Sequence, residues 1–262
     1  MGALLKEARQ LGFALRDEAA PPQAGPIVVT GVLAEQLAKE LGAGARPGAV
    51  AVGAGPLPAR TEVLVHVVAG DPTPEDEDRV DEAVARGIEV VIVELWPQPD
   101  WVRPFVLSPF VVECRTGEGF PIPTIAARIV DATENATVLA SSIPAIADAA
   151  RATVVRNAVL RSALIGLAGA RLGVSRPLLS LEQVRMVARL RAVSSGSAVS
   201  DELPVLAGGA AAVVASGFAF RALARSARVV VPAPLAQAAV AAGGTWVLAK
   251  AFQLAESRIP PA

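Results

Sequence analysis

The sequence has very few of the residues that metal sites and covalent catalysis use. Its 262 residues include one histidine, one cysteine and no tyrosine. One histidine and one cysteine exclude the usual zinc sites and argue against a Ser-His-Asp or Cys-His hydrolase. His66 stands among valines and leucine in the apolar run Glu62–Ala69, which favours a hydrogen-bonded core histidine. We therefore expect no catalytic residue and no metal site.

Disulfides and a secretory signal are also missing. Cys114 cannot pair within the chain, and the apolar run Phe110–Cys114 favours a buried, inert thiol. The first 18 residues mix basic and acidic side chains without an unbroken apolar core, which is typical of an amphipathic helix. These features predict a reducing, cytoplasmic compartment for the protein.

The small net charge of −1 conceals two halves of opposite sign. Residues 1–147 hold 11 Lys+Arg against 20 Asp+Glu, and residues 148–262 hold 13 against 5. The arginines of the second half are spread along apolar stretches and are not clustered beside aromatic residues, which argues against a nucleic-acid partner. An acidic first half and a basic, apolar second half predict two domains with different roles.

The first half alternates short β-branched runs with helical segments. The expected strands are Pro26–Thr30, Ala49–Val52, Glu62–Ala69, Ile88–Leu95 and Phe110–Cys114, and the expected helices are Val32–Leu41, Glu75–Arg86 and Ile122–Val130. Such alternation implies crossover connections and hence a parallel sheet that is covered on both faces. We predict a helix and linker over residues 1–24, and a Rossmann-like or GTPase-like α/β domain over residues 25–135.

Ligands of such domains bind beyond the carboxyl ends of the strands, where phosphate-binding chemistry is missing here. A phosphate-binding loop needs exposed backbone N–H groups, a lysine and a Ser/Thr for magnesium. The first strand is instead followed by Gly31-Val32-Leu33-Ala34-Glu35, in which the carboxylate would repel phosphate. We expect no nucleotide cofactor.

The remaining strand ends hold a few candidate binding residues. Asp71 follows the third strand but has no glycine three residues later, so capping of the next helix is its expected role. Glu94 stands near the position where a guanine-binding Asn-Lys-x-Asp run is expected. Thr116-Gly117-Glu118-Gly119 follows the fifth strand and also suits a tight turn. The candidates for nucleotide contact are Gly31, Asp71, Thr116, Gly117 and Gly119.

The second half, residues 136–262, is predicted to be a hydrophobic helical domain. Helices are expected over Ile146–Leu172 and Ser180–Val193, the second with Ser180 as its N-cap. The uncharged stretches Leu203–Phe220 and Val229–Ala249 are each long enough to span a membrane. The arginines between them would hold that connection in the cytoplasm and force the first domain outside. Packed helices that dock on anionic lipid through arginines are therefore the leading alternative to two spans.

Two stretches resemble known families. Thr116–Gly119 resembles part of the last conserved loop of Ras-like and Era-like bacterial GTPases. Residues 135–255, which include Ile143-Pro144, ARATVVRNAVLRSALIG and Gly244-Thr245 through Lys250, resemble the helical domain of the domain-of-unknown-function family 697. That domain accompanies many bacterial Era-like GTPases. The resemblance implies a membrane-associating or self-associating appendage beside a GTPase-like domain that has decayed.

Three functional hypotheses follow. The leading one is a non-catalytic, pseudo-GTPase-like interaction or scaffold protein at the cytoplasmic face of the inner membrane, with a protein partner such as an intact GTPase or a second copy. The second is an integral membrane protein with two spans in residues 203–249. The third is a nucleotide-binding protein or enzyme with an unrecognised site near Asp71 and Glu94 at the strand carboxyl ends.

Overall fold

The computed structural model describes residues 24–97, 110–115, 117, 119–172, 175–195 and 233–256. They fall into two compact units, of which the first ends at Arg151 and the second begins at Ala152. The predicted fold class, α/β followed by all-α, is confirmed, because the described residues of the first half form a parallel sheet with helices and those of the second half form helices. The expected helix near the N-terminus and the stretch Leu203–Phe220 lie outside the described residues.

The first unit is built on a five-stranded sheet in which all neighbouring strands are parallel. The strands are β1 (Ile27–Gly31), β2 (Val50–Val52), β3 (Val63–Ala69), β4 (Glu89–Leu95) and β5 (Val111–Cys114). Their order is β2-β1-β3-β4-β5. The chain moves from β1 to one side and then to the other, so the order reverses between β1 and β3. In open α/β sheets this reversal point is where ligands bind.

Helices cover both faces of the sheet. The helices that contact the strands are α1 (Ala34–Leu41), α2 (Pro74–Ala85) and α3 (Ile122–Ala132), and α4 (Ala136–Ser142) follows and contacts α3. One face packs Val28, Leu64 and Val68 against Val80 and Ala83 of α2. Alternate residues of the same strands point to the other face, where they are also fully buried. Burial on both faces explains why these strands are almost continuously apolar.

The start of α2 differs from the prediction. Asp71 is exposed and does not cap the helix. The N-cap is Thr73, whose hydroxyl accepts a hydrogen bond from the Asp76 backbone N–H, while the Asp76 carboxylate accepts one from the Thr73 backbone N–H. This reciprocal capping box satisfies two backbone N–H groups at the start of the helix and places Pro74 at its first position, where a missing N–H is tolerated.

The second unit consists of three described helices. They are the part of α5 (Pro144–Leu172) from Ala152 onward, α6 (Ser175–Ser195) and α7 (Ala233–Glu256). Their shared core includes Ala158 of α5, Met186 and Leu190 of α6, and Ala249 of α7. The prediction that Ser180 caps α6 was wrong, because the helix begins five residues earlier. Pro177 then lies in the first turn, where a missing N–H donor is tolerated.

Small and polar residues connect these helices. A Cβ atom on Gly166 of α5 would lie 2.8 Å from the Gln237 carbonyl oxygen of α7, so only glycine allows this approach. The Thr245 hydroxyl, fully buried on α7, lies 2.9 Å from both the Ser162 hydroxyl oxygen and the Ala241 carbonyl oxygen. Since a carbonyl only accepts, Thr245 donates to Ala241 when Ser162 donates to Thr245.

Candidate functional site

The connection from β1 to α1 lies at the reversal point of the sheet and is only two residues long. β1 ends at Gly31 and α1 begins at Ala34, so Val32 and Leu33 form the whole turn. The Val32 backbone N–H donates to the Val67 carbonyl oxygen of β3 at 3.0 Å. One of the amides that a phosphate-binding loop would present is thus used inside the sheet.

Gly31 has a structural role in this turn. Its φ is +89°, and an added Cβ atom would lie 2.0 Å from the Val67 carbonyl oxygen. The glycine therefore allows β1 and β3 to pair up to the last residue of β1. The candidate Gly31 is at the expected edge of the sheet, but its close approach is to protein backbone.

The residues around this turn are apolar and exposed. Val32 and Leu33 are each 48% exposed, and Trp96, directly after β4, is 50% exposed. Leu33 and Trp96 also have positive φ angles, of 56° and 55°. An L-residue in this left-handed region costs about 1–2 kcal/mol. Two large apolar side chains are therefore held in strained backbone at the ends of two strands that flank β3.

Acidic side chains surround these apolar residues. Helices that follow parallel strands begin at the carboxyl edge, so the first turns of α1 and α2 lie there. Asp71 after β3 and Glu113 near the end of β5 are exposed, as are Glu35 of α1 and Glu75 and Glu77 of α2. Among the described residues of this edge, Arg115 is the exposed basic side chain. The carboxyl edge thus combines exposed apolar side chains with exposed carboxylates.

The structure brings only some of the candidate binding residues together. Gly31 ends β1, and Asp71 follows the neighbouring strand β3. Gly117 and Gly119 follow β5, which is three strand spacings from β1, or about 14 Å. Both glycines are exposed with φ of +86° and +68°, as a tight turn requires. Thr116 lies outside the described residues.

A chain of hydrogen bonds, buried at Thr30 and His66 and exposed at Thr73, lies below this edge and was not predicted from the sequence. The Thr30 hydroxyl lies 2.7 Å from Nδ1 of His66, and Nε2 of His66 lies 2.8 Å from Oδ1 of Asp76. The second carboxylate oxygen, Oδ2, accepts from the backbone N–H and the hydroxyl of Thr73, at 2.8 and 2.7 Å. Thr30 and His66 are opposite each other in the β1–β3 register. The chain therefore joins the sheet to the capping box of α2.

The protonation state of His66 follows from its burial. The imidazole is 3% exposed, and burial lowers its pKa below the ordinary value of 6.5. The hydrogen bond and the charge of Asp76 oppose this shift, and the charge of Arg79 adds to it. At neutral pH the ring is therefore uncharged. Nε2–H donates to the Asp76 carboxylate, and Nδ1 accepts from Thr30.

The pKa of Asp76 is also lowered. Burial acts in the opposite direction, but hydrogen bonds from Thr73 and His66 to the charged carboxylate outweigh it. A hydroxyl, an imidazole and a carboxylate in line are the groups of a nucleophilic triad. Here the hydroxyl belongs to Thr30, which is 2% exposed, so a substrate cannot reach it in this conformation. His66 is the hydrogen-bonded core histidine that the sequence favoured.

The other titratable candidates do not form a reactive centre. Burial raises the pKa of the Cys114 thiol to about 11, which makes it unreactive at neutral pH. Glu94 is 1% exposed, whereas Asp71 is exposed, so the two carboxylates do not line one open site. Over the described part of the chain, no group of three or more His, Cys, Asp or Glu could hold a metal ion.

Of the described helices, one is long and apolar enough to cross a membrane. It is Pro234–Glu256, within α7, with a mean hydropathy of 1.2 in its most apolar window. Only 28% of that window is buried inside the protein. Leu235, Trp246 and Leu254 are each more than half exposed along it. This helix overlaps the predicted span Val229–Ala249 and so gives weak support to membrane association.

Comparisons with known proteins leave the chain without an assigned family. No protein-family model matches it, and neither a curated protein nor a solved structure matches it. The resemblance of residues 135–255 to the helical domain family therefore stays a prediction.

Proposed function

We propose that this protein is a non-catalytic, pseudo-GTPase-like interaction protein that associates with the cytoplasmic face of a membrane. The observation that carries the proposal is the turn between β1 and α1. It is two residues long, its Val32 N–H is bonded to Val67, and its side chains are valine and leucine. Chemistry of this kind suits contact with apolar protein surface and does not suit a triphosphate.

Calorimetric titration with GTP, GDP and ATP in the presence of magnesium tests this proposal. We expect no heat of binding and no change in thermal unfolding with any of them. A nucleotide present at about 100 times its Kd would stabilise the folded state by about 2.7 kcal/mol. Micromolar binding of any of the three would contradict the proposal.

The exposed apolar surface of the second unit supports association with a membrane. Besides the side chains along α7, Leu160, Leu164 and Leu167 of α5 are 58%, 65% and 42% exposed. Their spacing of four and three residues places them on one side of the helix. The residues from 148 onward carry 13 Lys+Arg against 5 Asp+Glu, which suits anionic headgroups.

Sedimentation with lipid vesicles tests the membrane association. We expect the protein to bind vesicles that contain anionic lipid more tightly than neutral ones, and raised salt should weaken that binding. Leu164→Gln should reduce binding, whereas Val84→Gln, at an equally exposed position on α2 of the first unit, should not. Equal binding to neutral and anionic vesicles would contradict the role of the basic charge.

An integral protein is the second candidate, and helix α7 is the observation that favours it. Carbonate extraction of the membrane fraction separates the two candidates. A docked protein is released by the extraction, whereas one anchored by a spanning α7 stays in the pellet. The proposal includes a protein partner, either an intact GTPase or a second copy of the chain. The exposed apolar side chains of Val32, Leu33 and Trp96 in the first unit support such a contact.

A further inference from the structure

We infer that the carboxyl edge of the sheet is a docking groove for a basic amphipathic helix of a partner protein. This inference rests on the proposed function, since it assigns the interaction surface and the chemistry of its partner. The groove is defined by Leu33 on one side, Trp96 on the other, and Gly70-Asp71 between them at the end of β3.

The width of the groove follows from the strand order. β1 and β4 are the two neighbours of β3, so the strands that lead to Leu33 and Trp96 are about 10 Å apart. A helix with its side chains is about 10–12 Å in diameter. An added Cβ atom on Gly70 would find no heavy atom of the described residues within 4 Å, so none of them fills the space beside this glycine.

The backbone strain supports a binding role for both apolar side chains. Asparagine or glycine would adopt positive φ more easily than leucine or tryptophan. Leu33 and Trp96 nevertheless occupy such positions while half of each side chain faces solvent. Strained residues of this kind concentrate at functional sites, because the surrounding structure holds them in place. Large apolar anchors are also what binding interfaces use at their centre.

The charge around the groove selects the partner. Asp71 is exposed on the groove itself, Glu35 is exposed beside Leu33, and Glu113 is exposed near the end of β5. An acidic margin repels acidic peptides and attracts lysine and arginine. An amphipathic helix with apolar residues on one face and basic residues beside it matches the apolar side chains of Leu33 and Trp96 and these carboxylates.

Fluorescence anisotropy on the full-length protein tests the inference with a defined probe. The probe is a labelled amphipathic peptide of leucine and lysine, about 18 residues long so that it can form a helix. A second peptide has glutamate in place of lysine. We expect the Leu/Lys peptide to bind with micromolar affinity and the Leu/Glu peptide to bind at least about tenfold more weakly.

Variants locate the binding. The double variant Leu33→Asn/Trp96→Asn should weaken binding of the Leu/Lys peptide about tenfold, and asparagine suits positive φ, so the fold is retained. Asp71→Asn should weaken it about threefold and reduce its salt dependence. Glu134→Gln is the control for charge, because this exposed residue follows the end of α3 and so lies toward the opposite edge of the sheet. It should leave the affinity unchanged.

Three results would overturn the inference. Equal binding of the two peptides would remove the charge selection, and unchanged binding by the double variant would place the peptide elsewhere. Self-association of the wild type that the double variant abolishes would make a second copy the occupant. Nucleotide binding, in contrast, would contradict the proposed function, so the failures of the two proposals are distinguishable.

Discussion

Replacing Leu33 with alanine, glycine and asparagine tests whether strained backbone is built into the carboxyl edge. At a φ of 56°, any residue with a Cβ atom other than asparagine or aspartate pays about 1–2 kcal/mol that glycine avoids. Glycine also loses more backbone entropy on folding, by about 0.5–1 kcal/mol. Leu33→Gly should therefore be about 0.5–1 kcal/mol more stable than Leu33→Ala, and Leu33→Asn should also exceed Leu33→Ala.

The comparison among variants removes the contribution of side-chain burial. Leu33 is 48% exposed, so its replacement loses about half of the 1.5–3 kcal/mol that full burial of a leucine provides. The alanine, glycine and asparagine variants all lose most of this contribution. The differences in stability among the three variants therefore measure the cost of the positive φ at position 33. Relative to the wild type, we expect Leu33→Ala to be about 1 kcal/mol less stable.

Val84 provides the matched control. It is 61% exposed, but it lies near the end of helix α2 with ordinary helical geometry. There the order should be inverted, with Val84→Ala more stable than Val84→Gly by up to about 1 kcal/mol.

Urea denaturation followed by far-ultraviolet circular dichroism measures these differences. A change of 1 kcal/mol moves the midpoint by about 0.3–1 M when the slope is unchanged. If alanine proves more stable than glycine at position 33 as well as at position 84, the strain at Leu33 is absent and its support for a binding role is lost.

Three further predictions address the packing beneath and beyond this edge. Gly31→Ala should destabilise the first unit by at least about 3 kcal/mol, seen as a lower thermal midpoint, because it adds a clash with β3 to an unfavourable φ. Thr30→Val should lose about 1–3 kcal/mol in urea denaturation because Nδ1 of His66 is left without a donor, whereas Thr30→Ser should lose less than Thr30→Val; equal losses would contradict the hydrogen bond. Thr245→Val should lower the stability of the second unit by about 1–2 kcal/mol through the unpaired Ser162, and the same loss in a Ser162→Ala background would argue against that pairing.

Much of the first unit could be predicted from local sequence. All five expected strands are present with ends within one residue of the prediction, because strands buried on both faces are short, apolar and β-branched. The strand order could not be predicted in the same way, since pairing joins residues that are distant in the chain. Thr30 and His66 lie opposite each other only because of the β1–β3 register, so their hydrogen bond could not be predicted from the local sequence.

Two errors at helix starts have a common cause. Asp71 and Thr73 are both good caps, and the choice between them depends on a partner three residues later. The run Thr73-Pro-Glu-Asp76 contains that partner, so the capping-box spacing was the signal that could have identified it. At α6 the same preference for a serine cap led to Ser180, although the proline at 177 is equally compatible with an earlier first turn.

The double use of Asp76 makes the start of α2 sensitive to acid. Its carboxylate closes the capping box and also accepts a hydrogen bond from Nε2–H of His66. The folded-state pKa of His66 is lower than its unfolded value of 6.5, so its contribution to stability is complete above pH 6.5 and declines as pH falls below that value toward the folded pKa. Asp76 adds a second loss of stability below its ordinary pKa of 3.8.

A His66→Gln variant should therefore lose the decline in stability that begins at pH 6.5 while keeping the decline below pH 3.8. If its stability still falls from pH 6.5 downward as in the wild type, another group is responsible.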